Sequence, residues 1–161
     1  MTIDPAIQAP DPDFEARVRD SFARQAYHHL IGARLVAVAP GACEIRVPFR
    51  ADLTQQHGYF HGGVSGAIAD SAAGYAAFTT MPADASVLTV EFKINLLAPA
   101  RGDELISRAR VRRAGRTLVI VQSDVHARTA GTEKLIATCL ATMMCLHGQS
   151  DDPARQATGS G

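Results

Sequence analysis

Phe14, Val18 and Phe22 recur every fourth residue behind Asp11-Pro12-Asp13, the spacing of an amphipathic helix with one apolar stripe. Asp11 is placed to cap that helix and Pro12 to fill its first position. The period then changes. Cys43, Ile45, Val47 and Phe49 alternate with Glu44, Arg46, Pro48 and Arg50, as in a half-buried strand. With the segment Ala33 to Ala39 before it and Pro40-Gly41 between, this predicts a hairpin, and Pro48 points to a sheet edge. From Gly62 to Thr79, the residues Val64, Ala67, Ile68, Ala69, Ala72, Ala73, Tyr75, Ala76, Ala77 and Phe78 leave hardly any polar face. That is the pattern of a helix buried on most sides.

Four more strand-like segments follow: about Ser86 to Leu97, Asp103 to Arg113, Thr117 to Ala127 and Glu133 to Leu146. Ala114-Gly115 and Ala130-Gly131 supply tight turns. Two strands, one apolar helix and four strands on short connections describe an α+β domain, an antiparallel sheet curled around a central helix. It is expected over residues 13–146, with a flexible segment at 1–12 and a disordered tail at 147–161, where small and polar residues take over.

Composition narrows the partners. The 161 residues, 47% apolar and 20% charged, suit one domain with its own core. Sixteen basic and sixteen acidic side chains cancel, which argues against nucleic acid or a membrane surface and for a small molecule or a second copy. No apolar run approaches the roughly 20 residues of a membrane span, and Met1 to Pro12 is not signal-like, so a cytoplasmic location is expected. Cys43, Cys139 and Cys145 lack zinc or redox spacing and are read as reduced core thiols. His57 and His61 are four apart without a third ligand, so neither a metal nor another cofactor is expected.

The candidate chemistry centres on Asp70, the single formally charged side chain between Asp52 and Asp84. A carboxylate in so apolar a segment is costly to bury unless something holds it. Gly63 lies two helical turns earlier on nearly the same side, and Gly66, Ala67, Ala73 and Gly74 keep that face small. At the helix start, the N–H groups of Gly62 and Gly63 lack partners within the helix and favour negative charge. They could polarise a carbonyl. Two turns rise about 10 Å, whereas both groups must lie about 3 Å from a reacting centre. If both act, two copies must meet head to tail. The alternative is that Asp70 only accepts hydrogen bonds in the core.

His61-Gly62-Gly63, Asp70, the run Thr89-Val90-Glu91-Phe92-Lys93-Ile94-Asn95 and Pro99 resemble the hotdog-fold acyl-CoA thioesterases of the phenylacetate-pathway (PaaI-like) type, from about Leu30 to Leu146. The resemblance implies a hotdog fold and hydrolysis of a small aryl- or medium-chain acyl-CoA, with Asp70 as nucleophile or general base. The Gly62 N–H, beside His61 and Gly63, would polarise the thioester carbonyl from a partner subunit. Gln55 stands where the family has a polar residue six before the histidine, with Gln56 as its substitute. Thr89 would orient water or the carboxylate, although simple alternation groups it with Glu91 and Lys93. A homodimer, and a homotetramer of such dimers, are implied too.

Among Arg108, Arg110, Arg112, Arg113 and Arg116, the two that flank the turn, Arg113 and Arg116, are the candidates for the CoA phosphates. Tyr59, Phe60, Tyr75 and Phe78 are candidates for an acyl pocket or for core. Two alternative readings place the chemistry elsewhere or remove it. A hotdog hydratase would use Asp52 and His57, but its flanking Gly and Asn-Pro are missing between Ala51 and Gly58. A non-catalytic acyl-CoA-binding protein would keep the fold without turnover.

Overall fold

The computed structural model describes residues 7–152. Two helices, α1 (Phe14–Arg24) and α2 (Ala26–Ile31), precede the hairpin of β1 (Arg34–Ala39) and β2 (Ala42–Pro48). The long helix α3 (Gly62–Phe78) follows, and then β3 (Ser86–Leu96), β4 (Glu104–Ala114), β5 (Leu118–Thr129) and β6 (Thr132–Leu146). The strands form one antiparallel sheet in the order β1-β2-β4-β5-β6-β3. Ala130 and Gly131 both take positive φ, 47° and 85°, so the β5–β6 turn follows the strand twist. Pro48 does not mark an edge: β2 lies inside the sheet, and Pro48 is its last residue, opposite Glu104. At a strand end the missing N–H interrupts no interior ladder.

The register fixes which side chains meet the helix. Ile45 lies opposite Ser107, Ser107 opposite Val125 and Val125 opposite Ala137, all on the buried inner face. Ala109, Ser123, Cys139 and Ala141 share it, and the Ser107 and Ser123 hydroxyls bond each other at 2.8 Å. These side chains are small, so α3 can sit close to the sheet. Cys43, Cys139 and Cys145 are free and buried in this layer, and burial pushes the Cys139 thiol up to about 11. On the outer face, Glu44 is held between Arg46 and Arg108, which keep its carboxyl below the usual range.

Helix α1 begins at Phe14, later than expected. Asp11 does not cap it. Its Oδ1 accepts from Asp13 N at 2.9 Å in a turn before the helix, and its other oxygen pairs with Arg17 at 3.2 Å. Arg17 closes the far end of α3, donating to the carbonyls of Phe78 (3.1 Å) and Met81 (3.0 Å) and lying 4.2 Å above the Phe78 ring. The Arg17→Met protein is expected to lose about 2–3 kcal/mol of stability, because these carbonyls and the Asp11 carboxylate lose a buried partner; urea unfolding monitored by circular dichroism measures it.

Of the segments expected to be disordered or flexible, residues 1–6 and 153–161 lie outside the described residues. Within the described residues of those segments, Ile7 packs against the core, His147 Nε2 lies 2.8 Å from Arg116 O, and Asp151 pairs with Arg24 at 2.6 Å.

Candidate active site

The chain reaches α3 through a tight loop whose backbone bonds to itself. Gln55 N donates to Tyr59 O, Gly58 N to Gln55 O, and His61 N to Leu53 O. Gly58, at φ +77°, makes the turn that an L side chain would strain. His61 is the N-cap of α3: its Nδ1 accepts from Gly63 N at 2.9 Å. That bond puts the ring proton on Nε2 and consumes the Gly63 N–H. Gly62 N–H has no partner among the described residues, so of the two glycines it is the one left to meet a ligand.

Asp70 stands further along α3, half-buried. Its Oδ1 accepts from Thr89 Oγ1 at 2.8 Å. Alternation alone would turn Thr89 away, but the β3–β6 ladder shifts between Thr89 and Glu91. Val90 is the extra residue of a β-bulge. Past it, Phe92, Ile94 and Leu96 lie opposite the buried Ala141, Cys139 and Ala137; before it, Thr89 lies opposite the buried Met143. The bulge therefore brings Thr89 onto the helix side of the strand.

Burial pushes the Asp70 carboxyl above the usual carboxylate range, and the Thr89 hydroxyl pulls it part of the way back. Removing the hydroxyl as Thr89→Val leaves burial unopposed, so the Asp70 pKa rises further. Activity that requires the carboxylate falls as pH drops through that pKa. The acid limb of kcat/KM is thus expected to move to higher pH in Thr89→Val, a shift that a pH–rate profile measures.

Two cavities flank the start of α3. One, of about 480 Å³, is lined by Gln55, Tyr59, Phe60, Gly62, Ser65, Leu96, Leu97 and Ile136 among others. The other, of about 470 Å³, is lined by Tyr27 and Leu30 of α2 together with Arg50, Asp52, His61 and Gly63. Asp70 lines neither. Gln55 is half-buried in the first cavity, while Gln56 is exposed. The Gln55 Oε1 accepts from His57 N, which leaves the amide NH2 to donate.

The remaining candidates divide. Phe60 and Tyr59 line a cavity, whereas Phe78 is core and Tyr75 is tied to Gln25 at 2.7 Å. Arg108 is committed to Glu44 and Glu133, and Arg112 to Gln122. Arg113 and Arg116, beside the β4–β5 turn, make no side-chain ion pair or hydrogen bond among the described residues. Asp52 is gripped by Arg50 through both oxygens, at 3.0 and 2.5 Å, a poor start for an acid–base pair with His57. No cluster of three metal-ligating side chains exists among the described residues. No helix among them is long and apolar enough to cross a membrane.

An antiparallel sheet wrapped around one buried helix is the hotdog architecture, and the chain is a thioester hydrolase of that fold. Residues 57–134, which contain His61-Gly62-Gly63, Asp70 and Thr89, match the thioesterase superfamily, and the chain belongs to that family. A thioesterase family protein of Silicibacter pomeroyi is 47% identical, with a TM-score of 0.82 over 84% of this chain and 99% of that one. Mouse acyl-coenzyme A thioesterase 13 is 32% identical over 64% of this chain and 72% of its own. A Ralstonia eutropha thioesterase described as phenylacetic acid degradation-related is 28% identical, with a TM-score of 0.70 over 81% of this chain and 98% of its own.

Proposed function

We propose that the protein hydrolyses acyl-CoA thioesters with a small aryl or medium-length acyl group, at two equivalent sites that two copies build together. The observation that carries this reading is a separation. Gly62 borders a cavity that Asp70 does not line, and the two lie more than two helical turns apart. A second copy placed head to tail brings its carboxylate to the open helix terminus.

The edge strand supports that partner. Along β3, Leu88, Val90, Phe92 and Leu96 are 58%, 51%, 44% and 60% exposed, on an outer strand of eleven residues whose free edge is a template for pairing. Both faces of the strand carry apolar side chains, which a solvated edge does not need. Gly66 and Gly74 in α3 add to this, since a Cβ at either would meet no atom of the described residues within 4 Å beyond its chain neighbours and its own helical backbone. Each costs about 1 kcal/mol of helix propensity against Ala, and a close approach by another chain accounts for it. The mouse relative's name supports CoA as the carrier, and Arg113 and Arg116 supply cations for its phosphates.

In this mechanism the thioester carbonyl oxygen accepts from Gly62 N–H and from the Gln55 amide. The ionised Asp70 of the other copy either attacks the carbonyl carbon or takes a proton from an attacking water. In the general-base route the water oxygen bonds to the carbonyl carbon, the C–S bond breaks, and the proton held by Asp70 passes to the leaving sulfur. In the covalent route Asp70 makes the C–O bond, CoA leaves as the thiolate and is protonated by water, and a second water cleaves the mixed anhydride to the free acid and Asp70. In a single turnover in oxygen-18 water, label in the Asp70 carboxylate supports the covalent route.

Thiol release from a panel of acyl-CoAs tests the activity, and absence of turnover across the panel overturns it. In Arg113→Ala/Arg116→Ala, KM for CoA thioesters is expected to rise about five- to tenfold, with little change for the same acyl group on N-acetylcysteamine. An equal rise for both carriers would place the arginines elsewhere.

A further inference from the structure

Ser65 is fully buried, at 0% exposure, and its hydroxyl has no hydrogen-bond partner among the described residues. It sits in the second turn of a helix, where a serine can bond back to the carbonyl four residues earlier; this one does not. Leaving a buried hydroxyl unpaired destabilises a fold. Ser65 also lines the cavity of about 480 Å³ that opens at Gly62 and Gln55. Leu96, Leu97, Phe60 and Ile136 make the rest of that wall largely apolar. Among the described residues no side chain bonds the hydroxyl, which lies unspent just beneath the cavity wall, so an acyl oxygen meets it by displacing the atoms that cover it.

The position along the helix sets what it can meet. Ser65 is three residues past Gly62, about 4.5 Å further along the axis, and helical side chains tilt back toward the N-terminus. A group that reaches Ser65 while the thioester carbonyl is held at Gly62 lies only a few bonds from that carbonyl. The apolar walls suit hydrocarbon rather than the amide-rich carrier arm, and a hydroxyl both donates and accepts.

We propose that Ser65 is a specificity-determining residue whose hydroxyl bonds an oxygen near the carbonyl end of the acyl group, favouring 3-hydroxyacyl over unsubstituted acyl thioesters. The proposal rests on the thioesterase reading above, with the carbonyl at Gly62. A site built to bond a substrate hydroxyl discriminates strongly against the analogue that lacks it.

The test compares kcat/KM for 3-hydroxyhexanoyl-CoA and hexanoyl-CoA in the wild type and in Ser65→Ala. The wild type is expected to prefer the hydroxylated substrate, and the ratio is expected to fall about tenfold or more in the variant, with the loss on the hydroxylated member. Because the hydroxyl has no partner among the described residues, the variant's Tm is expected to equal or exceed that of the wild type. An unchanged ratio, with both substrates hydrolysed, overturns the role of Ser65 and leaves the thioesterase reading standing. A lowered Tm with an unchanged ratio assigns the hydroxyl to internal structure and overturns it equally. If the wild type hydrolyses neither substrate nor any other acyl-CoA, the thioesterase reading fails, and this proposal with it.

Discussion

The Asp70→Asn protein is expected to fold normally and to hydrolyse acyl-CoA about 10²–10⁴-fold more slowly than the wild type, the usual contribution of a positioned acid–base group. Its amide oxygen can still accept from Thr89, and it no longer carries a charge that burial disfavours. The matching variant at the other half of the site is Gly62→Pro. Proline is well accepted at the first position of a helix, where its missing N–H has no helical partner. His61 already has φ −62° and ψ 137°, the conformation that a residue before proline favours. A Cβ at Gly62 would meet only the tip of Leu96 at 3.1 Å, and that tip can rotate. The substitution therefore deletes one donor and little else, and a loss of about 10²–10³-fold is expected.

The decisive experiment mixes the two. If each site takes its donor from one copy and its carboxylate from the other, a heterodimer of Asp70→Asn and Gly62→Pro chains holds one intact site and one doubly damaged site. Random exchange of subunits then restores about one quarter of wild-type activity. Thiol release after co-refolding reads the result, and activity that stays at the level of the separate variants refutes a shared site.

Leu88→Lys/Val90→Lys is expected to run as a monomer in sedimentation velocity and to lose nearly all turnover, although both positions lie outside the cavities at the helix start. Charge on an exposed edge strand blocks strand addition, and neither side chain touches Asp70 in the described contacts. Full activity in a variant that is monomeric by sedimentation would show that one chain suffices.

Strand and helix bounds follow from the sequence wherever Gly, Pro or a change of period interrupts the chain, as at Pro40-Gly41, Ala114-Gly115 and Gly62. Helix α2 was not legible: its six residues are too few to show a period. It is held by tertiary contacts, His28 stacking on Phe22 with ring centroids 4.2 Å apart and reaching Ser71 at 3.0 Å. Glu44 alternates like an exposed residue, yet it is buried because Arg46 and Arg108 close over it.

At the site, Asp70 and Gly62 stood out by charge and by motif. The split between Gly62 and Gly63 was legible only through the resemblance; its physical cause, the His61 ring taking the Gly63 N–H, depends on where that ring turns. The unspent hydroxyl of Ser65 gives no sequence signal, because a serine among alanines and glycines reads as ordinary packing.

The bulge in β3 has a consequence for chain length. Val90 is opposed by no residue of β6, whereas Thr89 and Glu91 each have a partner. Deleting Val90 would leave every other residue of the strand in phase, with Thr89 still turned to Asp70. Deleting Leu88 instead, and closing the bulge to make up the length, would swing Val90 into that place. Val90 is thus where a homologous strand can be one residue shorter and still present the same hydroxyl to the carboxylate.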